Sequence, residues 1–178
     1  IDKFILNYIN FSGFYISNKI NITNFNNKRL ALLTNTFIFW FETQNWKNLE
    51  LLELGAGNST LYFSKYFKEI TSFEISEKWI SEIEKDMPKN ITLISTKKII
   101  DKVKKEDLNI FDVILIDASE NRANLVNEII KQNYQGIIFF DNSDIYRNSI
   151  KLLTKENFIE IPFFGIKPIE NYISCTSL

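Results

Sequence analysis

The sequence predicts an α/β fold: a Rossmann-like, doubly wound and mostly parallel sheet with helices on both faces, closed by a C-terminal antiparallel β-hairpin. Short apolar runs recur along the chain with helix-like segments between them, and this βαβ alternation is typical of parallel sheets with crossover helices. Two further strand-like runs lie near the C-terminus with no helix between them. The seven runs are 50–54, 70–74, 91–94, 112–116, 137–140, 158–164 and 171–178.

The pattern within each element supports this assignment. Residues 28–42, 77–86 and 120–133 carry apolar side chains at helical spacing, so three amphipathic helices are expected there. The runs at 113–116 and 137–140 do not alternate between apolar and polar residues. Continuous apolar runs of this length are typical of strands that are buried on both faces of a parallel sheet.

Length and composition indicate one globular domain that has no general electrostatic attraction to nucleic acids or anionic membranes. The chain has 178 residues, and we expect an arm or lid over 1–27 and a single domain over 28–178. The net charge of −1 gives no reason to expect a nucleic-acid partner, and charged residues interrupt every long apolar run, so no membrane insertion is expected. Cys175 is the only cysteine, which favours a reducing, cytoplasmic location.

The absence of histidine narrows the chemistry that the chain can perform. Without an imidazole, it has no histidine base, no Ser-His-Asp triad and no histidine-ligated metal. Any metal would be held by oxygen ligands, which suit Mg²⁺ or Ca²⁺.

The segment ELLELGAGNST at 50–60 carries the strongest functional signal. An apolar strand runs into Gly55-Ala56-Gly57, where glycine permits a tight turn and a close approach of the backbone to a ligand. Asn58-Ser59-Thr60 then opens a helix, whose first N–H groups have no partner within the helix and can face the same ligand. Glu53 precedes the turn, and we expect it to hold either the N–H groups of the turn or a ligand ammonium.

An acidic residue at the end of the next strand completes this pattern. Glu74 ends the run at 70–74, where a carboxylate can accept hydrogen bonds from both hydroxyls of a ribose. Turn and acid together predict a nucleoside-cofactor site. The dinucleotide fingerprint requires a third glycine, but Thr60 stands at that position, so the turn fits a cofactor without a pyrophosphate better.

These motifs resemble those of the class I S-adenosylmethionine-dependent methyltransferases. The resemblance runs from about residue 30 to the C-terminus, and it is carried by ELGAGNST, Glu74, VILIDAS at 113–119 and IIFFDNS at 137–143. It implies that the glycine turn holds the methionine part of S-adenosylmethionine and that Glu74 holds the ribose. Ile75 and Asp117 are expected beside them at the cofactor site.

A second cluster contains Asp117, Asp141 and Asn142, which all lie just past the ends of predicted parallel strands. It resembles the Asp…Asp-Asn metal triad of catechol-type O-methyltransferases, which implies a Mg²⁺ or Ca²⁺ ion at these three residues. Those relatives also carry a lysine three residues after the first Asp, where this chain has Glu120. A purely structural interpretation makes the two Asp residues helix caps and Asn142 a turn residue.

The expected function is methyl transfer from S-adenosylmethionine to a small-molecule or carbohydrate-like acceptor of small or medium size, at oxygen. Proton removal from the acceptor is assigned to Asp117 or Asp141. One alternative is an oxidoreductase that uses an NAD-type dinucleotide, against which the missing third glycine and the terminal hairpin argue. The other is a methyltransferase-like binding module without catalysis, which Glu120 in place of the lysine favours.

Overall fold

A computed structural model of the protein describes residues 24–25, 28–170 and 172–178. The strands in this part of the chain are β1 (Asn24–Phe25), β2 (Lys28–Arg29), β3 (Glu50–Leu54), β4 (Glu69–Glu74), β5 (Ile91–Ser95), β6 (Val113–Ile116), β7 (Ile137–Asp141), β8 (Pro162–Ile166) and β9 (Ile173–Ser177). The helices are α1 (Asn35–Glu42), α2 (Asn58–Phe63), α3 (Glu77–Glu84), α4 (Ile99–Val103), α5 (Arg122–Lys131) and α6 (Arg147–Lys155). A short 3-10 turn, Leu108–Ile110, precedes β6.

The main sheet has the strand order β5-β4-β3-β6-β7-β9-β8. Strands β3 to β7 pair in parallel, whereas β9 pairs antiparallel with both β7 and β8. The doubly wound, mostly parallel sheet with a closing C-terminal hairpin is therefore confirmed. The short strands β1 and β2 pair with each other in a separate antiparallel hairpin.

The direction of winding reverses between β3 and β6, and this reversal places the candidate site. The chain moves outward from β3 to β5 and then returns to the other side of β3 as β6. Sheets of this kind bind ligands in the crevice outside the carboxyl ends of the strands at the reversal. Leu54 and Ile116 end β3 and β6 and lie opposite each other in register. The residues that follow them, Gly55 and Asp117, therefore meet at this edge.

Helices cover both faces of the sheet, and each face has its own apolar core. The core beneath α1, α2 and α3 is rich in aromatic residues. At its centre the Phe41 and Trp46 rings stack with their centroids 5.0 Å apart, and the Trp46 indole N–H donates to the Phe41 carbonyl at 2.8 Å. The core beneath α4, α5 and α6 is mainly aliphatic. Burial on both faces explains why the strand sequences do not alternate.

The helix expected over 28–42 begins only at Asn35, because the residue before it is held by the C-terminal hairpin. The Thr34 N–H donates to Thr176 Oγ1 at 3.2 Å, and the Thr34 hydroxyl donates to the Phe163 carbonyl at 2.9 Å. These contacts accompany an extended Thr34 backbone, and the helix starts after it. The sequence analysis named no element at α4 or α6, and both helices are present.

The arm or lid expected over 1–27 lies outside the described residues, apart from β1. The assignment of 28–178 to one domain stays a prediction. Within the described ranges, no helix combines the length and the apolar character that crossing a bilayer requires.

Candidate cofactor-binding site

The glycine turn depends on its two glycines for different reasons. Gly55 has a φ of +99°, and a Cβ there would lie 2.6 Å from the Asp117 carbonyl oxygen, so any other residue would be strained and would clash. Gly57 has an extended backbone with φ −174°. A Cβ at Gly57 would meet nothing closer than the Trp79 ring at 4.0 Å. Gly55 therefore permits the turn, whereas Gly57 leaves space beside it.

That space belongs to a cavity of about 340 Å³ at the carboxyl edge of the sheet. Its size is within the usual range for small-ligand sites. Most of the predicted cofactor-binding residues line it. The lining consists of Leu32, Gly55, Ala56, Gly57, Asn58, Ser59, Glu74, Ser76, Trp79, Ile99, Asp117 and Ser119. Three residues assigned to the cofactor site do not line the cavity, namely Glu53, Thr60 and Ile75.

Glu53 lies behind the turn, where it binds hydroxyl groups rather than the N–H groups of the turn, which were one of the two partners expected for it. Its carboxylate is fully buried and accepts hydrogen bonds from Ser59 Oγ at 2.5 Å, Thr60 Oγ1 at 2.5 Å and Ser72 Oγ at 2.7 Å. Burial raises the pKa of Glu53 to about 7, and the charge of Glu74 adds to the shift while the three hydroxyls oppose it. Glu53 thus links β3 and β4 to the first turn of α2.

Thr60 stabilises the turn from the same side. Its Oγ1 accepts a hydrogen bond from the Gly57 N–H at 3.0 Å while donating to Glu53. The side chain at this position, where the dinucleotide fingerprint has glycine, therefore satisfies one of the backbone donors at the start of α2. Ile75 lies farther out, and its contribution is the backbone N–H described next.

Glu74 binds the turn as well as lining the cavity. Its Oε2 accepts from the Ala56 N–H at 2.7 Å, and its Oε1 accepts from the Ile75 and Ser76 N–H groups at 2.8 and 2.6 Å. A carboxylate offers about four lone-pair positions, so one remains for a ligand hydroxyl. The acid is therefore fixed in place by three backbone donors at the position where the sequence predicts the ribose.

Two ion pairs lie at the next two strand ends, of which the Lys167–Asp141 pair is buried and the Arg122–Asp117 pair is partly exposed. Arg122 Nη2 donates to Asp117 Oδ1 at 2.9 Å, and Lys167 Nζ donates to Asp141 Oδ2 at 2.6 Å. Thr176 Oγ1 donates to the other Asp141 oxygen at 2.9 Å. Burial and the Asp141 charge raise the pKa of Asp117 well above its ordinary value, although Arg122 and Lys167 oppose the shift.

Arg122 also joins the ends of β6 and β7. Its Nε donates to the Ala118 carbonyl at 2.9 Å, and its Nη1 donates to the Asp141 carbonyl. Its guanidinium lies over the Tyr146 ring, 4.4 Å from the centroid. Arg122 therefore fixes the orientation of Asp117, the one member of the two ion pairs that lines the cavity.

The arrangement does not support the predicted Mg²⁺ or Ca²⁺ site. The Asp141 carboxylate is occupied by the Lys167 ammonium, and Asp117 is paired with Arg122. Asn142 has a left-handed backbone, φ 52°, and its Nδ2 donates to Ser174 Oγ at 3.1 Å. No cluster of three or more His, Cys, Asp or Glu side chains suited to a metal ion occurs among the described residues. Lys167 supplies a positive charge beside Asp141, where the sequence analysis predicted a metal ion.

Sequence reasoning missed the burial and pairing of Arg122 and Lys167 and the place of Trp79 in the cavity wall. Arg122 follows Asp117 by five residues across a strand-to-helix junction, which is a local signal for a pair. Lys167 follows its partner Asp141 by 26 residues and lies in a hairpin connection, so no local pattern marks it. Trp79 belongs to the apolar stripe of a predicted helix, where it was assigned to packing.

The fold is shared with several solved methyltransferase structures. Precorrin-6y C5,15-methyltransferase from Geobacter metallireducens has a TM-score of 0.59 and 13% identity, over 83% of this chain and 92% of that one. Fibrillarin from Aeropyrum pernix, solved with natively bound S-adenosyl-L-methionine, has a TM-score of 0.56 and 14% identity, over 74% of this chain and 66% of that one. The N-methyltransferase NodS from Bradyrhizobium japonicum has a TM-score of 0.51 and 14% identity, over 80% of this chain and 94% of that one.

Sequence comparison adds no closer relationship, since neither a protein-family model nor a curated protein sequence matches the chain. At 13–14% sequence identity, the similarity to these structures is evidence for a shared fold. The strand order, the closing hairpin and these structural neighbours agree with each other. The chain therefore has the fold of the class I S-adenosylmethionine-dependent methyltransferases.

Proposed function

We propose that the protein transfers a methyl group from S-adenosylmethionine to an oxygen of a small or medium-sized acceptor. The observation that carries this proposal is the convergence of Gly57, Glu74 and Asp117 on one cavity at the winding reversal. The structural neighbours include a C-methyltransferase and an N-methyltransferase, and both agree with methyl transfer as the general reaction. The choice of oxygen as the acceptor atom is part of the proposal.

The cavity has the features that an adenosyl cofactor needs. The open space beside Gly57 accommodates a ligand close to the backbone, and Glu74 keeps one lone-pair position for a ribose hydroxyl. Trp79 and Ile99 supply apolar surface for the nucleobase. When bound, S-adenosylmethionine supplies a methyl group that its sulfonium makes electrophilic.

The protein residues then position the acceptor and remove its proton. Asp117 lines the cavity, and Arg122 holds its Oδ1, which leaves Oδ2 for the acceptor hydroxyl. Asp117 Oδ2 would accept the proton that the acceptor hydroxyl loses when its oxygen is methylated. A raised Asp117 pKa suits this role because it makes the carboxylate a stronger base.

A transfer assay with methyl-labelled S-adenosylmethionine and fractionated small-molecule extract tests the proposal. The wild type is expected to label an acceptor. Asp117→Asn is expected to transfer about 10² to 10⁴ times more slowly at saturating cofactor, the usual contribution of a general base. If the wild type binds the cofactor and labels nothing in any extract, the protein is a binding module rather than an enzyme.

A further inference from the structure

We propose that binding of S-adenosylmethionine at this site is coupled to release of a proton from Glu53, so that Glu53 sets the preference for the sulfonium cofactor over its demethylated product. The inference rests on the proposed function. It makes Glu53 a positioning residue that acts on the cofactor through Ser59 and Thr60.

Glu53 differs from the other carboxylates of the site in what surrounds it. Asp117 and Asp141 are each paired with a cation, and Glu74 is held by three backbone N–H groups. The carboxylate of Glu53 accepts only neutral hydroxyl donors from the residues that the structure describes. Neutral hydroxyls stabilise an ionised carboxylate less than a paired cation does.

The charge that acts on Glu53 is negative and comes from Glu74. Glu53 lies on β3 between β4 and β6, which bring Glu74 and Asp117 to the same edge, and the facing helix α2 contains no charged residue. The negative charge of Glu74 raises the pKa of Glu53 further, to about 7. Near neutral pH the free protein is therefore a mixture of the protonated and ionised forms of Glu53.

Glu53 is separated from the cavity by a single layer of side chains. Ser59 lines the cavity and donates to Glu53 Oε1, and Thr60 donates to Oε2 while it holds the Gly57 N–H. A cation bound in the cavity therefore lies close to a buried carboxyl group in a medium of low polarity, where Coulomb attraction is strong. Such a cation favours the ionised form of Glu53 and expels its proton to solvent.

The two forms of the cofactor differ by this one positive charge. S-adenosylmethionine carries an ammonium, a carboxylate and a sulfonium, whereas S-adenosylhomocysteine has a neutral thioether. Both contain an α-amino group, but the sulfonium lowers the pKa of this group in S-adenosylmethionine, so the ratio of their affinities also contains the titration of the ligands. The ligand contribution is the same for every variant, so the difference in pH dependence between the wild type and a variant without the Glu53 carboxyl group reports on Glu53.

The experiment measures the dissociation constants of both ligands by calorimetry between pH 6 and pH 8. We expect the preference of the wild type for S-adenosylmethionine to increase over this range about fivefold more than that of Glu53→Gln, as Glu53 ionises. Glu53→Gln removes this ionisation and is expected to keep only the pH dependence that comes from the ligands. The matched control is Glu50→Gln on the same strand, whose carboxylate pairs with Lys68 on the surface, and it is expected to behave as the wild type.

A second measurement applies to the wild type alone, so the inference stays testable if Glu53→Gln fails to fold. Titrations at pH 7 in two buffers with different ionisation enthalpies give the number of protons released. Acid–base titration of each free ligand gives the protons that the ligand itself can exchange, and after these are subtracted more protons are expected to leave with S-adenosylmethionine than with S-adenosylhomocysteine. Equal release after this subtraction, or the same pH dependence of the ratio in Glu53→Gln as in the wild type, would overturn the inference. If the protein binds neither ligand, the proposed function is overturned instead.

Discussion

The ammonium of Lys167 lies 2.6 Å from the carboxylate of Asp141, and both side chains are almost completely buried. This ion pair places a fixed positive charge at the strand end where a divalent cation was expected. It also connects the C-terminal hairpin to β7, because Lys167 follows β8 directly. The hairpin is therefore joined to the candidate site by charge as well as by strand pairing.

Removing one member of this pair is expected to destabilise the protein strongly. Lys167→Met leaves Asp141 buried without a counter-charge, which typically costs about 3–5 kcal/mol of unfolding free energy. Urea unfolding monitored by circular dichroism measures the loss. The exposed Lys155→Met serves as the control and is expected to change stability by less than about 0.5 kcal/mol. Restoration of most of the stability in Lys167→Met/Asp141→Asn would confirm the pairing, and a stable single variant would contradict it.

The two glycines of the turn are expected to respond differently to alanine. Gly55→Ala forces a side chain into a left-handed backbone and against the Asp117 carbonyl, so it is expected to lower stability by at least about 1–3 kcal/mol. Gly57→Ala has an allowed backbone and open space, so the fold is expected to keep its stability while cofactor binding weakens. Thermal unfolding and calorimetric titration of both variants separate these effects. Equal destabilisation by the two substitutions would contradict the assignment of Gly57 to the cavity.

Glu74 is expected to contribute directly to cofactor affinity. Glu74→Gln keeps the size of the side chain but turns an amide donor toward a backbone N–H or a ribose hydroxyl. Hydrogen bonds to charged groups contribute about 1.5–3 kcal/mol, so affinity should fall by roughly tenfold or more. Glu77→Gln, on the exposed first turn of α3, is the control that should bind normally. Unchanged affinity in Glu74→Gln would remove the residue from the cofactor site.

The raised pKa of Glu53 also predicts a pH dependence of stability. Its pKa rises from an ordinary 4.5 in the unfolded chain to about 7 in the folded protein. Folding favours the protonated form of Glu53, so Glu53 contributes its full stabilisation of the folded protein below pH 4.5. This stabilisation is lost as the pH rises through 7. Relative to Glu53→Gln, the wild type should lose roughly 2–3 kcal/mol of unfolding free energy between pH 5 and pH 8. A constant difference between the two proteins would show that Glu53 does not titrate in this range.

The parts of the fold that sequence could predict are those with a local signal. The strand at 50–54, the turn at Gly55 and the acid Glu74 follow one another within 25 residues, and each has a residue type suited to its position. The apolar runs at 113–116 and 137–140 predicted central strands because burial on both faces removes alternation. These predictions needed no knowledge of distant contacts.

The features that sequence missed depend on contacts between distant segments. Thr34 ends an extended segment because Thr176 and Phe163 hold it, and nothing near Thr34 in the chain indicates this. The cation at Asp141 comes from Lys167, so ligand types alone suggested a metal where an internal ion pair is found. Glu53 was expected to bind backbone N–H groups or a ligand ammonium, and its donor from the neighbouring strand, Ser72, is identified only by the strand register.

Calorimetric titration of the wild-type protein with S-adenosylmethionine and with NAD⁺ tests the central claim most directly. The cavity between Gly57, Glu74 and Asp117 predicts saturable binding of one S-adenosylmethionine per chain and no binding of NAD⁺. Saturable binding of NAD⁺ without binding of S-adenosylmethionine would contradict the account.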